Sequence, residues 1–181
     1  RAITYRLKFN IPAHGGSMAV IILRLINARA AGIAFTVHPE YGDPSKIIIE
    51  SSWGLGEGIV GGFIAPDRYV FNKETLELVE VKEECKEILI ECGAQGTKQS
   101  KVPPSKQCER SLSDDEAKRI AFLARLLESH FGTPQDVEWA IDDDLPFPEN
   151  IFLLQARPVT SIVPQRSGVD QALDLLLDMM R

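Results

Sequence analysis

Cysteine is scarce in this sequence. Cys85, Cys92 and Cys108 are odd in number, and their spacings match no Cys-x-x-Cys or finger pattern. A disulfide scaffold is therefore not expected, and reduced thiols in the cytoplasm are the simplest reading. Positive charge is also short: 20 Lys plus Arg against 26 Asp plus Glu leave a formal charge of −6. A chain of that sign lacks the basic footprint that nucleic acid or an anionic membrane requires. No apolar run approaches the roughly 20 residues of a membrane helix. The start lacks the charged-then-apolar layout of a signal peptide. It opens on Arg1 rather than Met, and the chain is expected to be a fragment of something longer.

Several chemistries are missing as well. There is no G-x-x-x-x-G-K-S/T phosphate loop. His14, His38 and His130 are scattered away from other ligand types and read as surface or satisfied histidines. Ser17, Ser51 and Ser52 have no partnered base, so a serine nucleophile is not supported. The acidic run 142–144 has no EF-hand order and reads as a solvated loop.

What is present is an ordinary globular balance, 44% apolar and 25% charged over 181 residues. A chain of this length can bury roughly two-thirds of its unfolded surface without a staple. The apolar, β-branched run 18–26 reads as a buried strand, with a turn over 27–31. Strands are expected at 32–38 and 46–50, and a hairpin at 67–72 and 76–81 around Lys73, Glu74 and Thr75. Residues 82–110 are polar and carry no sustained period, apart from one candidate strand at 87–92. Ser113 with Glu116 has the form of a capping box, opening a helix over 114–131 that Gly132 ends and Pro134 keeps from resuming. A last amphipathic helix is expected over 169–180.

The most informative pattern lies between these helices. Residues 136–142 alternate strictly, with Val137, Trp139 and Ile141 on one face and Asp136, Glu138 and Ala140 on the other. A second strand, 151–157, follows an acidic loop. In the antiparallel register that pairs Asp142 with Ile151, Glu138 faces Gln155 and Asp136 faces Arg157. A carboxylate beside an amide oxygen suits Mg²⁺, which binds a few protein oxygens together with phosphates. An Arg two residues on can hold phosphoryl oxygens. A solvated strand face with a cross-strand ion pair fits the same spacing. Gly56, Gly58 and Gly61 also fit G-x-G-x-x-G, but Gly61 and Gly62 make a poor helix start. A tight loop is favoured there over an NAD site, which requires a helix beginning near Gly58.

Four segments in order carry a resemblance. They are 28–39 (ARAAGIAFTVHP); 51–57 (SSWGLGE) with Pro66 and Asp67; 112–116 (LSDDE); and 130–142 (HFGTPQDVEWAID) followed by 154–160 (LQARPVT). Together they resemble the ATP-binding domain of the phosphoenolpyruvate synthase and pyruvate phosphate dikinase family, which includes phenylphosphate synthase and rifampin phosphotransferase. The resemblance implies an α+β, ATP-grasp-like lobe with a mainly antiparallel sheet and packed helices. Residues 1–17 would then be a leading segment, 18–160 the nucleotide lobe, and 161–181 a linker with the final helix. It implies transfer of the β-phosphoryl of ATP to a histidine on a separate swivelling domain, releasing AMP and phosphate. Carried over by motif, Glu138 and Gln155 are Mg²⁺ and phosphate-side ligands, and Arg157 stabilises phosphoryl charge. Leu23, Arg24 and Leu25 fall where the family's inter-lobe hinge meets adenine, although the usual pattern has Gln at the position of Leu23. The family's first lobe and the carrier histidine have no counterpart in the sequence, so half a cleft and weak or absent turnover by the isolated chain are expected. A non-catalytic subunit that completes a partner's cleft is the alternative.

Overall fold

The computed structural model describes residues 2–8, 10, 12, 20–93 and 96–160. Its elements are α1 (Ala2–Lys8), β1 (Ala28–Phe35), β2 (Lys46–Trp53), α2 (Glu57–Val60), β3 (Asp67–Asn72), β4 (Leu78–Lys82), β5 (Ile88–Gly93), β6 (Gly96–Lys101), α3 (Asp114–Phe131), β7 (Gln135–Asp142) and β8 (Ile151–Pro158). Six strands form one sheet in the order β4-β3-β2-β1-β7-β8, and β5 with β6 form a separate hairpin. Every ladder is antiparallel. The fold is mixed α/β with a mainly antiparallel sheet and few helices.

One face of the large sheet is dry. Ala30, Ala34, Ile47, Ile49, Tyr69, Phe71, Val137, Trp139 and Ile141 pack there against Ala117, Ile120, Ala121 and Ala124 of α3. The alanines let the helix axis approach the strands closely. Leu127 lies at the margin of this core. The helix forms as its sequence dictates. Ser113 accepts from the Glu116 amide, the Glu116 carboxylate accepts in return from the Ser113 amide, and Gly132 closes the end at φ 72°. Charged ties fix its ends: Arg29 to Glu116 at 2.5 Å and Lys73 to Glu128 at 3.0 Å.

Gly32, at the centre of the sheet, has no room for a side chain. A Cβ there would lie 1.9 Å from the Glu50 carbonyl oxygen and 2.7 Å from the Trp139 ring. Gly32→Ala is expected to cost about 3 kcal/mol, the upper range for overpacking a dense core. A urea unfolding curve shifted by less than a third of that would show that the strands can part.

Several expectations change. The run 18–26 is not a buried strand over its described part. Residues 20–27 make no ladder, and Leu23 and Leu25 are 66% and 63% exposed. An apolar run signals a surface that wants cover, but a strand also needs a neighbour, and among the described residues β8 remains an edge. Only Ile26 is buried, beside Ala31 and Ala140. The expected turn at 27–31 is instead mostly the start of β1, and β2 runs on to Trp53. β4 begins later than expected because the turn continues through Leu76, which sits at φ 56°. A helix, α1, occupies part of the leading segment. The expected helix at 169–180 lies outside the described residues, as does His14.

The glycine-rich stretch forms one helical turn, with Gly54 and Gly62 at positive φ. It joins two antiparallel neighbours, β2 and β3, rather than a parallel β-α-β unit. The turn meets the expectation of a helix near Gly58 and corrects that of a tight loop, but an antiparallel connection does not supply the parallel β-α-β unit on which an NAD site is built.

The thiol reading is also corrected. Cys85 and Cys108 form a disulfide, and Cys92 is a free, exposed thiol. The β5–β6 hairpin folds the chain back so that two cysteines 23 positions apart meet. Cysteine spacing therefore no longer argues for a reducing compartment. Reduction is expected to lower stability by roughly 3 kcal/mol, the loop-closure value for this span. Melting with and without a phosphine reductant measures it, and an unchanged midpoint would show that the link does not constrain the unfolded chain. Among the described residues no helix is long and apolar enough to cross a membrane.

Candidate functional site

The face of the sheet opposite α3 carries the polar residues of the alternating strand. β7 is fixed from behind: Val137, Trp139 and Ile141 are fully buried. The period-2 geometry of a strand then turns Asp136, Glu138 and Ala140 to the other side. β1 flanks β7 through Ile33 opposite Glu138 and Phe35 opposite Asp136, and β8 flanks it on the free edge.

The β7–β8 register places Glu138 opposite Gln155 and Asp136 opposite Arg157, as the sequence pattern predicts. Near the acidic loop the ladder differs, because Ile151 pairs with Ile141 rather than Asp142. Between Glu138 and Trp139 the register shifts, since Trp139 faces Leu153 and Leu154 is the extra residue of a bulge. Bulges bend and twist an edge strand locally and re-aim the side chains around them. Here one sits immediately before Gln155.

The side chains meet. Gln155 Nε2 donates to Glu138 Oε1 at 3.3 Å. A half-turn of that exposed amide would present its oxygen to the same space, giving two hard oxygen donors side by side. Arg157 Nε donates to Asp136 Oδ2 at 2.8 Å. This bond, together with the charge of Asp136, raises the Arg157 pKa above its ordinary value, so the guanidinium is a permanent cation. Further across the same row, Glu50 lies opposite Ile33 and Arg68 opposite Glu50. Burial pushes Glu50 up, against the opposing effect of Arg68. Arg68 turns to His38 at 3.1 Å and Glu40 at 3.5 Å. His38 is thus a partnered histidine.

A concavity of about 260 Å³ opens at one end of β8. It is lined by Leu23, Arg24, Ile26, Asp142, Asp144, Leu145 and residues 152–154. Leu23 and Arg24 border it, and Leu25 does not. The contributions of Leu145, Phe152 and Leu154 were not legible in the sequence, because they stand more than a hundred positions from Leu23 and only the fold joins them. Along a strand each residue advances about 3.3 Å, so Gln155 directly follows the concavity and Arg157 lies roughly 10 Å past Leu154.

Glu138 and Gln155 could hold a divalent cation as two oxygen donors, leaving its other positions to water and phosphate, which is how Mg²⁺ is usually bound. Among the described residues, no group of three or more His, Cys, Asp or Glu could hold a metal without such help.

Comparison with known proteins adds the decisive observation. The chain matches the family described as pyruvate phosphate dikinase, AMP/ATP-binding domain, over residues 1–173. It belongs to that family. It is 38% identical over 178 residues to a probable phosphoenolpyruvate synthase of Staphylothermus marinus, covering 87% of this chain and 21% of that protein. It is 40% identical over 185 residues to a phosphoenolpyruvate synthase of Aeropyrum pernix, covering 88% and 23%. A rifampicin phosphotransferase of a Streptomyces species is 32% identical over 164 residues, covering 91% and 18%. The chain thus spans about a fifth of the length of these relatives. As a member of the pyruvate phosphate dikinase AMP/ATP-binding family it is a dikinase-type ATP-binding domain, and the relatives named above are phosphoenolpyruvate synthases and a rifampicin phosphotransferase.

Proposed function

We propose that this chain is the C-terminal half of an ATP-grasp-type nucleotide domain in a dikinase-type, phosphoenolpyruvate synthase-like phosphotransferase. The protein passes the β-phosphoryl of ATP to a histidine on a separate swivelling domain, leaving AMP and phosphate. One observation carries the reading: Gln155 and Arg157 are successive outward residues of β8, Glu138 of β7 lies opposite Gln155, and a concavity lined by residues 152–154 precedes them on β8.

In this reading adenine enters that concavity, whose lining includes Leu23, Arg24, Ile26, Phe152 and Leu154. Contacts from the 23–25 backbone tolerate Leu in place of Gln. The triphosphate then runs along β8 toward Gln155 and Arg157. Glu138 and Gln155 would hold the Mg²⁺ that accompanies the nucleotide. When bound, that cation supplies neutralisation of the charge on the phosphoryl oxygens. Arg157 offers its planar fork to the same oxygens. Phosphoryl transfer depends chiefly on positioning and electrostatic stabilisation, so these residue types suffice for this half of the cleft. The opposing lobe and the carrier histidine would come from elsewhere, in the same polypeptide or in a separate subunit.

The test is a calorimetric titration of ATP into wild type and into the Glu138→Ala/Gln155→Ala variant, alone and in the full-length protein. Mg²⁺-dependent affinity should fall in the variant. If binding and transfer are both untouched, the chain is a non-catalytic module that completes a cleft whose chemistry lies elsewhere.

A further inference from the structure

The site leaves one buried charged group without a role. The Asp136 side chain is 11% exposed, against 57% for Arg157. Asp136 Oδ2 accepts from Arg157 Nε, while its Oδ1 is buried and has no hydrogen-bond partner among the described residues. A guanidinium free to choose meets a carboxylate with two parallel N–H bonds. Here it uses only Nε, the nitrogen nearest its own chain, and neither terminal nitrogen has a partner among the described residues.

We propose that Asp136 is a positioning residue for phosphoryl transfer, gripping Arg157 by Nε so that both terminal nitrogens face the phosphoryl group. The proposal rests on the reading of Arg157 given above. Asp136 is well placed to serve as an anchor. Its backbone is held between β1 and β8, and its neighbour Val137 is fully buried. On its other side the Gln135 amide donates to Thr36 Oγ1 at 2.8 Å. A short side chain on a fixed backbone therefore restrains a long, mostly exposed one. Without the grip, Arg157 would have to give up its rotamer freedom when the nucleotide binds. The grip also leaves the terminal fork, the part suited to phosphoryl oxygens, unused by the protein itself.

The sign of the effect separates this role from that of a bystander charge. A carboxylate near the triphosphate repels it, so a bystander Asp136→Asn would tighten ATP binding. A positioning Asp136→Asn should instead lower the rate of AMP release by the full-length protein roughly 10- to 100-fold, the usual cost of losing an orienting partner. AMP affinity, which does not use the fork, should stay the same. In an Arg157→Ala background the Asn substitution should add nothing further, since residues acting through one another are non-additive. Arg157→Lys should fall about as far as Arg157→Ala, because an ammonium has no Nε to hold; this arm decides the matter if Asp136→Asn does not fold. Tighter ATP binding, an additive loss in the double variant, or a fully active Arg157→Lys would each overturn the proposal while leaving the nucleotide site intact. Transfer untouched by Arg157→Ala would instead remove the role of Arg157 and the proposal with it.

Discussion

Lys86→Met is expected to destabilise the domain by about 3–5 kcal/mol, the range for breaking a buried ion pair from one side. The Lys86 ammonium and the Asp67 carboxylate are both fully buried and hydrogen-bonded to each other. The ammonium also reaches the Glu84 carbonyl at 2.7 Å. Asp67 in turn accepts from the Glu84 amide at 3.0 Å and from the amide and hydroxyl of Ser111 at 2.8 Å each. The carboxylate thus joins the start of β3, the exit of β4 and the approach to α3. Removing the lysine leaves a desolvated anion at this junction. Replacing both partners with apolar residues of similar size should recover part of the loss, because neither then carries a buried charge. Denaturant midpoints for the single and paired variants measure this, and a single-variant loss below 1 kcal/mol would mean that water reaches Asp67 on mutation. Since α3 backs β7, a loosened junction is also expected to blunt the candidate site indirectly.

The second large effect concerns transfer. Glu138→Ala in the full-length protein should lower AMP release by about 10²–10³-fold, the scale of losing one preorganised charge-stabilising group. Glu138→Gln should lose nearly as much, since it keeps the shape but not the charge. Gln155→Ala should lose less, because a neutral amide oxygen leaves no uncompensated charge behind. Wild-type rates in both Glu138 variants would place the cation elsewhere.

Much of the site's geometry was legible because its signals are local. The Ser113–Glu116 box and Gly132 act within one helical turn, and the structure has both. The alternation around Trp139 fixed which way Glu138 points, and pairing by facing pattern gave the Glu138–Gln155 and Asp136–Arg157 positions. The bulge at Leu154 left no sign, because Leu153 and Leu154 are equally apolar and either could have faced Trp139. β6 was missed for a different reason. Its residues are mostly polar and exposed, so it is held by ladder hydrogen bonds to β5 without an alternating pattern. The start of β1 reads as a turn because Ala28, Ala30 and Ala31 have weak strand preference, yet β7 pairs all three and β2 also pairs Ala30 and Ala31. The apolar run at 20–26 misled in the opposite direction: its composition demanded burial that the described residues do not provide. Cys85 and Cys108 could be paired only once the hairpin between them was known.

The most direct test of the nucleotide site is the affinity of ATP measured twice, with Mg²⁺ and with a chelator, for wild type and for Glu138→Ala/Gln155→Ala. In wild type the cation should strengthen binding at least tenfold, and in the variant the two affinities should converge while AMP binds both proteins equally. A cation-dependent gain of the same size in the variant would contradict the assignment of Glu138 and Gln155.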